Sequence, residues 1–347
     1  MDRIDRVRER MKVQALVVTD QTNIRYLTGY RGDNGVLLLT EKTAVLITDP
    51  RYEQSSRAEV GDAEIVITNN GVIEKLTTLP HLKKIKKVGF EREGIGYSDY
   101  EKLKGALDDK ELVPISNLVG ELRMRKDEDE IKCIKRACEI GDAVLREVSR
   151  EISPHSTEKD IAAEIEFLMK KHGGDKQSFD TIVAAGDNSA LPHAIPTDRK
   201  VDGENILLVD MGVLYEGYAS DMTRTFLLRK GGRERDIYAI VSEAQGRAIE
   251  AIKPGVELKD IDEIARKYIG DEHYGDNFGH ALGHGVGLSV HELPRISNKC
   301  TYRAEEGMVF TVEPGIYIPG FGGVRIEDLI LVTKTGYEVI TKSPKAS

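Results

Sequence analysis

The sequence predicts a two-domain α/β protein whose second domain contains two similar halves. A chain of 347 residues is long enough for two domains of ~100–200 residues each. In residues 1–122, short apolar β segments alternate with helical segments, and a long amphipathic helical pattern then begins near Met124. We therefore predict domains at 1–122 and 123–347.

The first domain is predicted as a layered α/β sheet. Its strands are runs of Val, Leu and Ile between turn residues, and its helices have charged faces. The predicted strands span 15–20, 35–40, 44–48, 63–68 and 87–91, and the predicted helices span 1–12, 50–60 and 98–107.

The second domain begins with two predicted helices, 124–152 and 156–174, the latter with Ser156 as its N-cap. A strand at 178–186 and a Pro-containing loop at 191–197, which carries His193, follow. A strand through Asp210, a turn at Glu216–Gly217 and a return strand through Asp221 then form a predicted hairpin.

The same order recurs later in the chain. Helices are predicted at 233–253 and 258–269, and the β-rich remainder contains a second predicted hairpin, which carries Glu313 and Glu327. Each half of the domain would therefore supply two carboxylates from facing β segments. This order suggests an internal structural repeat, although the two halves share no evident sequence identity.

Charge and composition exclude several classes of function. The net charge of −9 argues against a nucleic-acid partner, because phosphate binding requires a basic surface. No apolar run approaches the ~20 residues of a membrane helix, and the charged N-terminus is unlike a signal peptide. Three scattered cysteines indicate reduced thiols, which predicts a cytoplasmic protein.

Four acids and one histidine in the second domain form the candidate site. Each acid lies in a segment rich in apolar residues, where an unpaired charge is costly. Their combined charge of about −4 would be balanced by two divalent cations sharing a water. Manganese, cobalt or iron suits such ligands, and zinc also fits. A single strand acid is more often solvated or paired with arginine, so the prediction depends on the whole set: Asp210, Asp221, His284, Glu313 and Glu327.

Five blocks of the second domain resemble the pita-bread metallopeptidases that cleave Xaa-Pro bonds, namely prolidase and aminopeptidase P. These blocks are FDTIVAAG, LPHAIPT, VDMGVLYEGYASDMTRTF, HALGHGVGLSVHE and EGMVFTVEPGIYIPGFGGVRIED. In the first domain, NIRYLTGY and LITDPRYEQ resemble the same family. The resemblance implies a creatinase-like N-terminal α/β domain followed by a pita-bread α+β domain with internal pseudo-two-fold symmetry.

The resemblance also assigns roles to individual residues. It implies that Asp210 chelates the first metal, that Asp221 and Glu327 bridge the two metals, and that His284 and Glu313 complete the second. Glu313 also matches the proton-transferring base. The residues implied to contact the substrate or support the site are His193, His280, His291, Arg295, Arg325 and Phe179, with His193 and His291 near the scissile bond.

The implied activity is cleavage of the peptide bond N-terminal to proline by a dinuclear metal hydrolase. Arg295 in HELPRIS resembles the carboxylate clamp of dipeptidases, which favours prolidase and proline-containing dipeptides. Aminopeptidase P, acting on longer peptides, is the alternative. A metal-free creatinase-like hydrolase and a non-catalytic binding module are more distant alternatives, because members of both kinds lack the full ligand set. The resemblance further implies a homodimer.

Overall fold

The computed structural model describes residues 2–229 and 231–345, and the chain divides into two units, Met1–Arg123 and Met124–Ser347. Each unit has its own sheets and its own hydrophobic core. Among the described residues, no helix has both the length and the apolar character that crossing a bilayer requires.

The first unit is a six-stranded mixed sheet with helices packed around it. Its strand order is β4-β3-β2-β1-β5-β6, with β1 antiparallel to β2 and parallel to β5. Strands β1 to β3 are buried along their whole length, which explains their continuous apolar sequences. The strands are β1 Ala15–Val18, β2 Gly35–Thr40, β3 Ala44–Thr48, β4 Glu64–Ile67, β5 Lys87–Glu91 and β6 Glu111–Ile115; the helices are α1 Arg3–Arg10, α2 Gln21–Thr28, α3 Glu53–Glu59, α4 Tyr97–Ala106 and α5 Leu118–Arg123.

Several features of this unit differ from the prediction, and strand β6 and helix α5 were not predicted. The predicted helix 50–60 begins as a 3-10 turn, Pro50–Tyr52, before α3. Helix α2 was not predicted, although Asp20 caps it by accepting from the Asn23 amide and Gly29 ends it at a φ of 81°. The predicted helix 1–12 is observed as α1, and Met1 lies outside the described residues.

The first half of the second unit consists of two helices followed by two small sheets. Helices α6 and α7 pack with the buried strands β8 and β9 in one apolar cluster. Strand β9 lies between β8 and β12, while β10 and β11 form an inner hairpin in a separate sheet. The elements are α6 Glu128–Glu151, α7 Glu158–Lys171, β7 Lys176–Gln177, β8 Ile182–Ala185, β9 Ile206–Met211, β10 Val213–Tyr215, β11 Tyr218–Ala219 and β12 Met222–Leu227.

The N-cap of α7 is Thr157 rather than the predicted Ser156. The Thr157 hydroxyl accepts from the Asp160 amide, and the Asp160 carboxylate accepts from the Thr157 amide, which completes a capping box. The Ser156 hydroxyl instead contacts Ser153. The prediction was wrong by one residue because the reciprocal partner is Asp160, three residues after Thr157, whereas Ser156 has Lys159 at that spacing.

The second half of this unit repeats the arrangement. Helices α8 and α9 pack in a second apolar cluster, β15 pairs with β18, and β16 and β17 form the inner hairpin. The elements are α8 Arg233–Glu250, α9 Leu258–Asp271, β13 Gly283–Gly285, β14 Glu292–Ile296, β15 Val309–Val312, β16 Gly315–Ile318, β17 Gly322–Arg325, β18 Asp328–Val332 and β19 Tyr337–Val339. In both halves, acids lie where the outer strand pair passes into the inner hairpin.

Candidate metal centre

Two of the acids come from the first hairpin. Asp210 lies in β9 directly opposite Thr223 of β12, and Asp221 immediately precedes β12. Both side chains are buried, at 8% and 4% exposure. Gly212 permits this geometry, since a Cβ there would come within 2.2 Å of the Ser220 carbonyl oxygen.

The other two acids flank the second hairpin. Glu313 follows β15 and accepts a hydrogen bond at Oε1 from the Thr311 hydroxyl, 2.9 Å away. Glu327 precedes β18, is 2% exposed, and accepts at Oε2 from the Thr223 hydroxyl at 2.6 Å. Thr223 therefore links the first hairpin to an acid of the second.

His284 in β13 joins the acids. Its Nδ1 donates to the Gly285 carbonyl oxygen at 3.2 Å, which directs Nε2 toward the carboxylates. Nε2 lies 3.3 Å from Glu313 Oε1 and 3.6 Å from Asp221 Oδ2. Asp221, His284 and Glu327 each offer a ligand atom, and these three atoms lie within 4.8 Å of one another.

The electrostatics of the acids reflect burial among like charges. Burial raises the pKa of Asp221 well above its usual range, and the charge of Glu327 raises it further. Burial likewise raises the pKa of Glu327, with the charge of Glu313 adding to the effect. Both carboxyls therefore favour the protonated form unless a positive charge is close.

Glu313 and His284 behave as a charged pair. Burial alone would raise the pKa of Glu313, but the hydrogen bond and charge of His284 outweigh it and lower that pKa. Burial alone would lower the pKa of His284, and the contact with Glu313 reverses this and raises it. The imidazole of His284 and the guanidinium of Arg325 thus lie beside four carboxyl groups.

The donor set fits divalent cations. Asp210 Oδ1 is buried and has no hydrogen-bond partner within residues 2–229 and 231–345, while Oδ2 is paired with Arg325. A buried, unpaired carboxylate oxygen is costly unless a cation binds it. Carboxylate oxygens with one imidazole are common ligands of first-row transition metals.

Arg325 connects Asp210 to the surrounding hydroxyl groups. Its side chain is 4% exposed, and Nη2 donates to Asp210 Oδ2 at 2.7 Å. Nε donates to the Thr223 hydroxyl at 3.0 Å, and Nη1 donates to the Tyr317 hydroxyl at 2.9 Å. In this structure Arg325 thus orients a candidate ligand.

Tyr317 extends this network to His280 and was not predicted from the sequence. His280 Nδ1 donates to the Ala281 carbonyl oxygen, so Nε2 accepts from the Tyr317 hydroxyl at 3.0 Å. Burial lowers the pKa of His280 and raises that of Tyr317 to about 12. Both ring nitrogens of His280 are thus engaged within the protein. In the sequence, Tyr317 is marked only by its position in a glycine-rich block. Gly315 of this block leaves room for the hydroxyl, since a Cβ there would lie 2.5 Å from it.

Two further histidines lie outside the ligand set. The ring of His291 is 4.1 Å from that of His284 between centroids. Burial and the charge of His284 lower the pKa of His291, which favours its neutral form. His193 lies on the loop after β8 with its side chain exposed.

Phe179 and Arg295 are the remaining predicted site residues. Phe179 packs against Gly212, with its Cε1 2.7 Å from the position of a Cβ on that glycine. Arg295 is directly opposite His284 in the β13–β14 pair, and its exposed guanidinium has no hydrogen-bond partner in the described part of the chain. It lines a cavity of about 520 Å³ together with His280, Leu293 and Lys299.

Comparison with known proteins identifies the family of both units. Residues 132–334 match the model described as metallopeptidase family M24, and residues 3–125 match that of the creatinase/prolidase N-terminal domain. These matches confirm the predicted resemblance and the fold class that it implies.

Relatives align over nearly the whole chain. The Xaa-Pro dipeptidase from Bacillus anthracis superposes with a TM-score of 0.94 at 40% identity, covering 99% of this chain and 98% of that one. The Xaa-Pro dipeptidase of Pyrococcus horikoshii is 38% identical, with coverage of 97% of this chain and 95% of its own. The X-Pro aminopeptidase from Thermotoga maritima superposes with a TM-score of 0.89 at 37% identity, covering 99% of both chains. The chain belongs to metallopeptidase family M24.

Proposed function

We propose that the protein hydrolyses the peptide bond N-terminal to proline, with Xaa-Pro dipeptides as its preferred substrates. The observation that carries this proposal is the cluster of Asp221, His284 and Glu327, in which both acids are buried. It lies in a chain that matches Xaa-Pro dipeptidases over nearly their full lengths. Membership of the metallopeptidase family implies bound divalent metal ions.

We further propose two metal ions per subunit, with manganese or cobalt preferred and iron or zinc also accommodated. Four carboxyl groups and one imidazole match the charge and ligand type of such a pair. When bound, the ions would lower the pKa of a shared water to near neutrality. The residues that would hold them are Asp210, Asp221, His284, Glu313 and Glu327.

The proposed chemistry gives Glu313 the role of proton carrier. Its Oε1 already accepts from Thr311 and contacts His284, which leaves Oε2 to take a proton from water and return it to the proline nitrogen. This nitrogen belongs to a tertiary amide and must be protonated to leave. His291 and His193 would donate to the carbonyl oxygen of the scissile bond, where negative charge develops.

Four other side chains would bind the substrate or support the site. Arg295 lies directly opposite His284 in the β13–β14 pair. Its guanidinium has no hydrogen-bond partner within residues 2–229 and 231–345, which suits a substrate carboxylate. Phe179 would border the proline ring. Arg325 would hold Asp210 in place, and His280 would support it through Tyr317.

A second candidate function is that of an aminopeptidase P, which removes the first residue from longer Xaa-Pro peptides. The similarity to the Thermotoga maritima X-Pro aminopeptidase favours it specifically. A metal-free hydrolase or a non-catalytic module accords less well with a complete set of five ligand residues.

We also propose the domain bounds, the oligomeric state and the cellular location of the chain. We assign a creatinase-like domain to residues 1–122 and the peptidase domain to 123–347, and we propose a homodimer. Light scattering should then give twice the chain mass of 38.6 kDa. The three cysteines form no disulfide, which agrees with a cytoplasmic location.

The deciding experiment strips the protein of metal, restores manganese or cobalt, and compares Met-Pro with a longer peptide that begins Met-Pro. Faster cleavage of Met-Pro supports the dipeptidase, and faster cleavage of the longer peptide supports the aminopeptidase. Cleavage of neither by metal-loaded protein refutes both.

A matched pair of variants tests the ligand assignment. Asp221→Ala should lower both the bound metal and the activity. Asp236→Ala, which changes an exposed aspartate on α8, should alter neither. Full activity of wild-type protein that holds no metal would show that the metal assignment is wrong.

A further inference from the structure

The loop from Ala185 to Thr197 carries His193, and its conformation determines where that histidine lies. The imidazole of His193 is exposed and has no hydrogen-bond partner within residues 2–229 and 231–345. Its position is therefore set by the backbone on either side of it.

One buried carboxylate binds both ends of this loop. Glu158, the first residue of α7, has an exposure of 0%. Its Oε1 accepts from the Ala185 amide at 2.7 Å, and its Oε2 accepts from the Thr197 amide at 2.8 Å. The Thr197 hydroxyl donates to Oε2 at 2.7 Å, and the Asn188 side-chain amide donates to both oxygens at 3.0 Å.

The contacts of Glu158 are those of a hydrogen-bond acceptor. Every partner of Glu158 is a donor, and only a group that accepts through both oxygens satisfies all of them. The position at the N-terminus of α7 favours negative charge through the helix dipole. Five hydrogen bonds converge on this one carboxyl group, so Glu158 closes the loop.

The middle of the loop is attached near the metal centre. Ala194 is buried in an apolar cluster with Ile182, Ala184 and Leu208. The Pro192 carbonyl oxygen accepts from Arg325 Nη1 at 3.3 Å, and Arg325 also holds Asp210. The residues on either side of His193 are thus fixed relative to the candidate ligands, provided that Glu158 keeps the loop ends closed.

We propose that Glu158 is a positioning residue that acts through His193, by closing the loop that presents this histidine to the substrate. The proposal rests on the proposed function, in which His193 contacts the scissile bond. Glu158 lies behind the loop with its carboxylate wholly occupied, so it does not itself touch the substrate.

A double-mutant cycle in the full-length, manganese-loaded protein tests the proposal. Glu158→Gln places an amide N–H₂ against backbone N–H donors, so at least one donor loses its acceptor. With His193 present, kcat/KM for Met-Pro should fall about ten- to hundredfold, the cost of a small misplacement of a catalytic group. In a His193→Ala background, the same change should cost less than about threefold, because coupled residues are not additive.

Equal losses in both backgrounds would overturn the proposal, since they would show that Glu158 acts independently of His193. Glu164→Gln is the matched control, because it makes the same chemical change on the same helix at a side chain that lacks these contacts. It should leave kcat/KM unchanged.

A second variant keeps the proposal testable if Glu158→Gln does not fold, and hydrogen exchange adds a readout that is independent of activity. Thr197→Val removes one hydroxyl donor to Glu158 and preserves the side-chain shape. It should lower kcat/KM by about fivefold, the value of one hydrogen bond. Hydrogen exchange at the Ala185 and Thr197 amides should accelerate in Glu158→Gln and stay unchanged in Glu164→Gln.

These measurements separate the proposal from the function on which it rests. If the wild-type protein does not cleave Met-Pro, or if His193→Ala keeps full activity, the proposed role of His193 fails and the coupling fails with it. If His193→Ala loses activity but neither kcat/KM nor amide exchange responds to Glu158→Gln, the positioning role of Glu158 alone is refuted.

Discussion

Arg325 donates to one carboxylate oxygen of Asp210 at 2.7 Å, and the other oxygen of that carboxylate is buried without a hydrogen-bond partner in the described residues. The two carboxylate oxygens of Asp210 therefore have different roles. One oxygen fixes its orientation through a buried ion pair, and the other remains open for a cation. Asp210 therefore contributes both to the stability of the fold, through its ion pair with Arg325, and to the metal affinity of the site.

Replacing Arg325 should destabilise the metal-free protein. Arg325→Met leaves Asp210 without its counter-ion in a buried position, which costs about 3–5 kcal/mol of unfolding free energy. Urea denaturation in the presence of a chelator measures this change. Arg146→Met, an exposed change on α6, serves as the control. A loss below about 1 kcal/mol would contradict the assignment of a buried pair.

Metal binding should release protons. Burial and neighbouring charges raise the pKa values of Asp221 and Glu327, so both favour the protonated form in metal-free protein. A divalent cation displaces those protons, and we expect release of about one to two protons per chain at neutral pH.

Calorimetry of manganese binding in buffers with different ionisation enthalpies measures this release. Asp221→Asn should release fewer protons than the wild type, since the amide has none to lose. A binding enthalpy that is the same in every buffer would show that these carboxyls are already ionised.

Glu91 should make stability depend on pH. Burial raises its pKa from 4.5 to about 7, although the Asp20 and Thr19 amides and the Asn23 side chain donate to it. Because the pKa of Glu91 is higher in the folded state, the stability that its protonated form contributes is complete below pH 4.5. This stability is lost as the pH rises through about 7. The expected loss of unfolding free energy is about 3 kcal/mol, since a difference of one pKa unit corresponds to ~1.4 kcal/mol.

Denaturant titrations across this pH range compare Glu91→Gln with the wild type. The variant cannot ionise, so its stability should fall less as the pH rises. Glu101→Gln, an exposed change on α4, should keep the wild-type dependence. An identical slope in Glu91→Gln and wild type would refute the shifted ionisation.

Lys126 and Glu292 form a second buried ion pair, and Glu292 directly follows His291 in the sequence. Their charged atoms are 2.8 Å apart, and the side chains are 1% and 7% exposed. Lys126→Met should cost about 3–5 kcal/mol of unfolding free energy, because it leaves a buried carboxylate without its cation.

Adding Glu292→Gln to Lys126→Met should recover part of that loss, since the second change removes the uncompensated charge. Thermal and urea unfolding of the single and double variants measure the coupling. A double variant as unstable as the sum of the single changes would show that the two residues do not act as a pair.

Much of the fold was predictable because the strong signals are local. Continuous Val, Leu and Ile runs specify β1, β2 and β3, and the long amphipathic pattern specifies α6. Helix α2 is only eight residues long and depends on its caps, Asp20 and Gly29, rather than on its periodicity. Strand β6 contains Pro114 and lies at the sheet edge, so its pattern resembles a loop.

The charged residues of the site were predictable because they lie in otherwise apolar segments. Asp210, Asp221, Glu313 and Glu327 stand out because acids are rare in apolar β segments. Neutral hydroxyls such as those of Thr223 and Tyr317 show no such conflict. Glu158 reads as an ordinary acid in the first turn of a helix, and only the folded loop reveals that it is buried.

The repeated halves of the second unit divide the candidate ligands between them. Asp210 and Asp221 lie in the first half, and His284, Glu313 and Glu327 lie in the second, while each pair of helices packs in its own apolar cluster. Neither half would hold the metal pair as a separate fragment. If the unit were cut between β12 and α8, each fragment would carry only part of the ligand set. Stoichiometric metal uptake would then measure reassembly, since it would require both fragments in their native register.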